Sequence, residues 1–168
     1  MAETVIATML IGFVVVSTLD IVGPMVRSTT VHADRLLAAN LANELTEEIA
    51  TRRFTDPDVD SGNALGVDIS ERAAVRADFD DVDDYNGWTS SPPKLTGDIA
   101  LSTLNGWTRS VIVEHVLVSD ATTTSPSVTG LKRVTVIVSK NGTELARIVS
   151  LHSLAADSIG FDAPGGGI

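Results

Sequence analysis

Apolar residues crowd the start of the chain. Val5 to Val16 reads VIATMLIGFVVV, with Thr8 its one mildly polar side chain and no charge. The run continues to Leu19, meets Asp20, and resumes as Ile21-Val22-Gly23-Pro24-Met25-Val26 before Arg27. As a helix, Val5 to Val26 would extend about 33 Å, the thickness of a bilayer's hydrocarbon core. Glu3 precedes the run and no A-x-A site follows it, a pattern unlike a cleaved signal peptide. Proline lacks an N–H and clashes with the preceding turn, so Gly23-Pro24 predicts a kink or local melting.

The helical pattern then narrows to one face. Leu37, Leu41, Leu45 and Ile49 recur every fourth residue with Ala38 and Ala42 beside them. Arg35, Asn40, Asn43, Glu44, Glu47 and Glu48 fall largely opposite, which makes an amphipathic helix. Asp56-Pro57 would stop it, with Arg52 and Arg53 complementing the dipole in its last turn. The expectation is one kinked helix over about residues 3–53, with residues 1–26 a membrane or filament-core segment and 27–54 the helix of a head.

Strand-like alternation fills the last third. Residues 107–118 carry Trp107, Val111, Val113 and Val116 to Val118, and 131–139 place Val134, Val136 and Val138 on one side. Asn141-Gly142 is the favoured pair of a type I′ hairpin turn, and Thr143 to Leu154 returns with Leu145, Ile148, Val149 and Leu151. A meander of about three antiparallel strands over 107–154 would cover the helix stripe. The fold class is α+β, and residues 155–168 read as a flexible tail.

Composition sharpens this division. The net charge is −10 while mean hydropathy is +0.21, so charge and apolar weight must lie in different stretches. Residues 55–106 hold Asp56, Asp58, Asp60, Asp68, Glu71, Asp78, Asp80, Asp81, Asp83 and Asp84 against Arg72 and Arg76, a local −8 with Lys94 and Asp98 cancelling. This acidic loop region and the pI near 4.5 exclude a phosphate-binding, nucleic-acid surface. The chain contains no cysteine, so disulfides, thiolate metal sites and thiol nucleophiles are excluded.

No catalytic motif is present. His32, His115 and His152 lie on separate elements without metal-ligand spacing, and there is no phosphate loop, G-x-S-x-G or H-E-x-x-H. The chain is read as not an enzyme. Its most specific local feature is the string Asp78-Phe79-Asp80-Asp81-Val82-Asp83-Asp84-Tyr85-Asn86-Gly87-Trp88. Calcium takes six to eight hard oxygen ligands, which makes Asp78, Asp80, Asp81, Asp83 and Asp84 a candidate Ca²⁺ set, although EF-hand spacing fails. The alternative is a solvated acidic loop pinned to the sheet by Tyr85 and Trp88. No other cofactor is expected. Glu3 is either a dipole partner worth about 0.3–1 kcal/mol or a buried carboxylate matched by the α-amino group of a neighbouring copy.

Together these residues resemble the type IV pilins and type II secretion pseudopilins. The start Ala2-Glu3-Thr4-Val5-Ile6-Ala7-Thr8-Met9-Leu10 looks like the family's mature N-terminus, Glu3 matching the family glutamate and Gly23-Pro24 lying near the family kink. The string Asp78 to Trp88 is similar to a motif of mannose-sensitive haemagglutinin-type minor pilins and planctomycete pilin-like proteins. Trp107-Thr108-Arg109-Ser110-Val111 and Leu131-Lys132-Arg133-Val134-Thr135-Val136 look like the strands that follow it there. The resemblance implies a structural subunit of a type IV pilus or secretion filament, assembled through Glu3, Gly23 and Pro24. It implies a single inner-membrane pass with a periplasmic head, followed by incorporation in an extracellular or periplasmic filament. The implied partners are other pilin or pseudopilin subunits, an assembly platform, and the prepilin peptidase that removes a basic leader and methylates the new N-terminus. Only two residues precede Glu3 where the family has four, which points to a late-assigned start or a trimmed chain. The lack of cysteine fits a minor pilin or pseudopilin better than a major pilin. The rival expectation is a single-pass, membrane-anchored periplasmic binding or sensor module that never polymerises.

Overall fold

The computed structural model describes residues 2–56, 65–67 and 76–156. One long helix, α1 (Ala2–Ala50), precedes five strands: β1 (Thr89–Ser90), β2 (Trp107–Leu117), β3 (Asp120–Thr124), β4 (Leu131–Lys140) and β5 (Thr143–Ser153). Short 3-10 turns lie at Arg76–Asp78 and Asp83–Tyr85. The fold is α+β, with every strand pairing antiparallel. The chain divides into two compact units, Met1–Leu37 and Ala38–Ile168, so the division falls within α1 and later than residue 26.

In the first unit, α1 stays helical through Gly23 and Pro24, so the backbone does not melt there. The side chains of that pair lie outside the described residues. Within Ala2–Leu19 no residue is buried, and this is the one described helix long and apolar enough to cross a membrane. Its few hydroxyls satisfy themselves: Thr8 donates to the carbonyls of Thr4 and Val5, Ser17 to Phe13, and Thr18 to Val14 and Val15. Such back-bonding lets a polar side chain sit in an apolar surrounding without an unpaired donor.

The second unit holds the core. Ala38, Leu41, Ala42, Leu45 and Ile49 are buried, which is the stripe expected from their spacing. The helix stops three residues before the expected end at 53. Thr51 N–H donates to the Glu48 carbonyl at 3.2 Å and Arg52 N–H to Ile49 at 3.0 Å, the tighter bonds that close a helix end. Arg52 and Arg53 therefore lie past the last turn, and Arg53 pairs as an isolated parallel bridge with Asp81.

The sheet order is β1-β2-β4-β5, with β3 paired to β2 as well. Five strands replace the expected three. β1 is only two residues long and takes its place from pairing Thr89 with Ser110 and Ser90 with Arg109. β3 is almost wholly exposed, so no buried alternation marks it. The expected strands are present, and Val111, Val113, Val134, Val136 and Val138 line the buried face. The β4–β5 turn has Asn141 at φ 50° and Gly142 at φ 78°, both left-handed as a type I′ turn requires. That turn also explains Gly106, whose φ is 77°: a Cβ there would lie 2.3 Å from Asn141 Oδ1. Gly106→Ala should destabilise the head by about 1–3 kcal/mol, read as a lower Tm; an unchanged Tm would show that the contact relaxes freely.

Candidate functional site

The acidic string is where sequence and structure part most sharply. Asp78 is exposed and Asp80 half-buried, but Asp81, Asp83 and Asp84 are buried with 3%, 6% and 4% of their surface accessible. A solvated loop is thus excluded for these three. Their burial is possible because the turn supplies its own donors. Asp81 Oδ1 accepts from the N–H of Asp83 and, at 3.1 Å, of Asp84. Asp84 Oδ2 accepts from the N–H of Asp80 at 3.0 Å and of Asp81 at 3.3 Å. Each carboxylate stands in for a missing backbone acceptor, the job aspartate performs in turns.

The turn is fastened on three sides. Towards the end of α1, Val82 N–H donates to the Arg53 carbonyl at 3.0 Å. On the β2 side, Gly87 N–H donates to Val111, Val111 N–H returns to Trp88, and Val113 N–H donates to Asn86 Oδ1. On the β4 side, Lys132 Nζ lies 2.8 Å from Asp83 Oδ2, donates to the Phe54 carbonyl, and stands 4.2 Å over the Phe54 ring. Phe79 and Tyr85 meet edge to face at 5.0 Å inside the loop.

A second buried charge cluster lies beside it. Glu48 Oε1 accepts from the Tyr85 hydroxyl at 2.9 Å and faces Arg76 Nε at 3.1 Å, while Glu48 Oε2 accepts from Thr96 at 2.6 Å. Arg109 is fully buried, donates to the carbonyls of Leu41 and Lys94, and lies 3.6 Å from Glu44. Arg76 and Arg109 both stand against the Trp88 ring, at 4.9 and 6.0 Å. Sequence reading missed these cations, although strand parity puts Arg109 with Val111 and Val113 and Lys132 with Val134 and Val136.

The electrostatics follow from burial. Burial pushes Asp81 up to about 7, the charges of Asp83 and Asp84 add to this, and its two N–H bonds oppose it. Asp83 is also raised by burial, against the pull of Lys132 and of His115. Burial raises Tyr85, helped by the Glu48 charge, and lowers His152, with Lys132 adding. Arg109 is lowered by burial and by Arg76.

Among the described residues, no three His, Cys, Asp or Glu side chains come together as a metal-binding group. The expected Ca²⁺ set is not assembled: Asp78 faces out, and oxygens of Asp81, Asp83 and Asp84 are engaged with N–H groups and Lys132. The chemistry of the string is structural closure of a turn. At the other end of the chain Glu3 sits exposed in the first turn of α1. Gly23 and Pro24 lie within the same helix. The two candidate sites, assembly and acidic string, belong to different units. Compared with family models, curated proteins and solved structures, the chain matches none.

Proposed function

We propose that this chain is a structural subunit, a minor pilin or pseudopilin, that waits in the inner membrane and is then built into a filament through its N-terminal helix. The observation that carries this reading is α1. Its first 18 residues are apolar and uncovered by the rest of the chain, whereas residues 38–49 bury a stripe in the core of the head. A soluble protein rarely leaves so large an apolar surface open. Lipid covers it before assembly, and the same helices of neighbouring subunits cover it afterwards. Repetition of one head-to-tail contact that does not close gives a filament.

In this reading Glu3 pairs with the α-amino group of an adjacent subunit and sets the axial register. A buried carboxylate without a cation costs several kcal/mol, so wrong registers are rejected. Gly23 and Pro24 stay helical, and Pro24 removes one main-chain donor from the helix where it leaves the membrane. The prepilin peptidase and assembly platform are its processing and extraction partners.

Glu3→Ala tests this in the native host. The variant should reach normal levels in the membrane fraction yet fall at least about tenfold in sheared filaments or secretion activity, the equivalent of about 1.4 kcal/mol or more of lost pairing. Full incorporation of a stable Glu3→Ala chain would overturn the pairing. A wild-type chain that stays monomeric and membrane-bound, in cells that do make filaments, would favour the anchored binding module.

A further inference from the structure

The strand register sets three basic side chains in one row under the acidic turn. His115 of β2 pairs with Lys132 of β4, and Lys132 pairs with His152 of β5. All three share the parity of the buried valines, and Asp83 reaches the middle of the row at Lys132. Three carboxylates, Asp81, Asp83 and Asp84, are thus buried in one turn, and it is Asp83 that bonds Lys132. Among the described residues, Asp83 Oδ1 has no hydrogen-bond partner.

We propose that the Asp81–Asp84 turn is a proton-operated latch, closed while the cluster holds an extra proton and opening locally when that proton leaves. Closed, it ties Arg53 and Phe54 to β2 and β4 through the bonds described above. With every carboxylate ionised, three negative charges lie buried in one turn while Lys132 bonds Asp83, and the turn relieves the repulsion by exposing Asp81. Neutral Asp81 still accepts both N–H bonds through its carbonyl oxygen, so protonation removes charge without removing an acceptor.

Among the described residues, these groups face the cluster. Asp80 and Asp84 come from the turn itself; Arg52 and Glu48 reach it through Tyr85. Arg53 contributes its main chain, β2 contributes His115, β4 Lys132, and β5 His152. The sign follows from linkage: a carboxyl that binds its proton more tightly when closed favours closure at low pH and loses that contribution as pH rises through its folded value. The upward shift of Asp81 and Asp83 agrees in direction. His152 works the other way. Beside Lys132 it resists a second positive charge, so strong acid also opposes closure. The latch belongs to the head alone and holds whether or not the chain polymerises.

Hydrogen exchange on the full chain in detergent micelles tests it. The amides of Asp83 and Asp84 report directly, because they donate to Asp81. After correction for intrinsic base catalysis, their protection should fall about tenfold or more between about pH 6 and about pH 8.5. The amides of Val134 and Val136 should keep theirs. Asp81→Asn should leave the turn amides protected at the higher pH and abolish the difference. Equal protection of the turn at both pH values overturns the latch, as does a loss shared equally by β4, which is global unfolding. Should the Asn variant fail to fold, the carboxyl carbon shift of Asp81 in the native chain decides: a midpoint above about 6 supports the latch, and one near the ordinary value of about 3.9 overturns it.

Discussion

Lys132→Met is expected to destabilise the head by about 3–5 kcal/mol at about pH 6, where the turn is closed, the largest effect of any single substitution considered. Methionine fills nearly the same volume, so the loss is electrostatic and not a cavity. The ammonium group is fully buried and bonds both Asp83 and the carbonyl of Phe54. Without it a buried carboxylate and a buried carbonyl lose their shared donor. Single domains hold about 5–15 kcal/mol in total, so a third or more of the stability is at stake. Urea unfolding of the full chain in detergent, followed by far-UV circular dichroism, measures it. Adding Asp83→Asn to the methionine variant should recover part of the loss, because the uncompensated charge goes with the carboxylate. A loss under about 1 kcal/mol would show that the pair is screened after all.

Leu45→Ala should cost about 2–5 kcal/mol. Leu45 is wholly buried at the centre of the α1 stripe, and truncation removes apolar contact and leaves a cavity. Leu36 provides the comparison on the same helix, with 68% of its surface exposed. Leu36→Ala should change head stability by no more than about 0.5 kcal/mol. Similar losses for the two variants would contradict the division of α1 between a covered and an uncovered portion.

That division was legible in the sequence, because the change from an all-round apolar run to a stripe of every fourth residue is a local signal. The three long strands were legible for the same reason: Val134, Val136 and Val138 alternate, and Asn141-Gly142 fixes a turn. β1 and β3 were not. Neither has a buried alternation of its own, and both exist because β2 offers them a partner. The helix end was misjudged because Arg52 and Arg53 look like dipole partners, whereas Arg53 is drawn away by a main-chain bridge to Asp81.

The acidic string shows a different limit. Composition says that five carboxylates in seven residues belong in water or on a metal ion. It cannot say that Asp81 and Asp84 serve the N–H groups of their own turn, because that depends on the backbone folding back. Nor can it bring together Lys132 and Asp83, which are 49 positions apart in the chain. The parity of Lys132 with three valines was nevertheless visible, and a cation in a buried row demands an anion. Glu3 offers no comparable check within one chain, since its proposed partner belongs to another.

The hydrogen bonds from 86–88 to β2 have a consequence for solubility. A strand edge with free N–H and C=O groups is a template on which another molecule's strand can grow. The N–H and C=O of Val111 and the N–H of Val113 are already occupied by Gly87, Trp88 and Asn86. Pairing along that part of the edge is thereby blocked within the head itself.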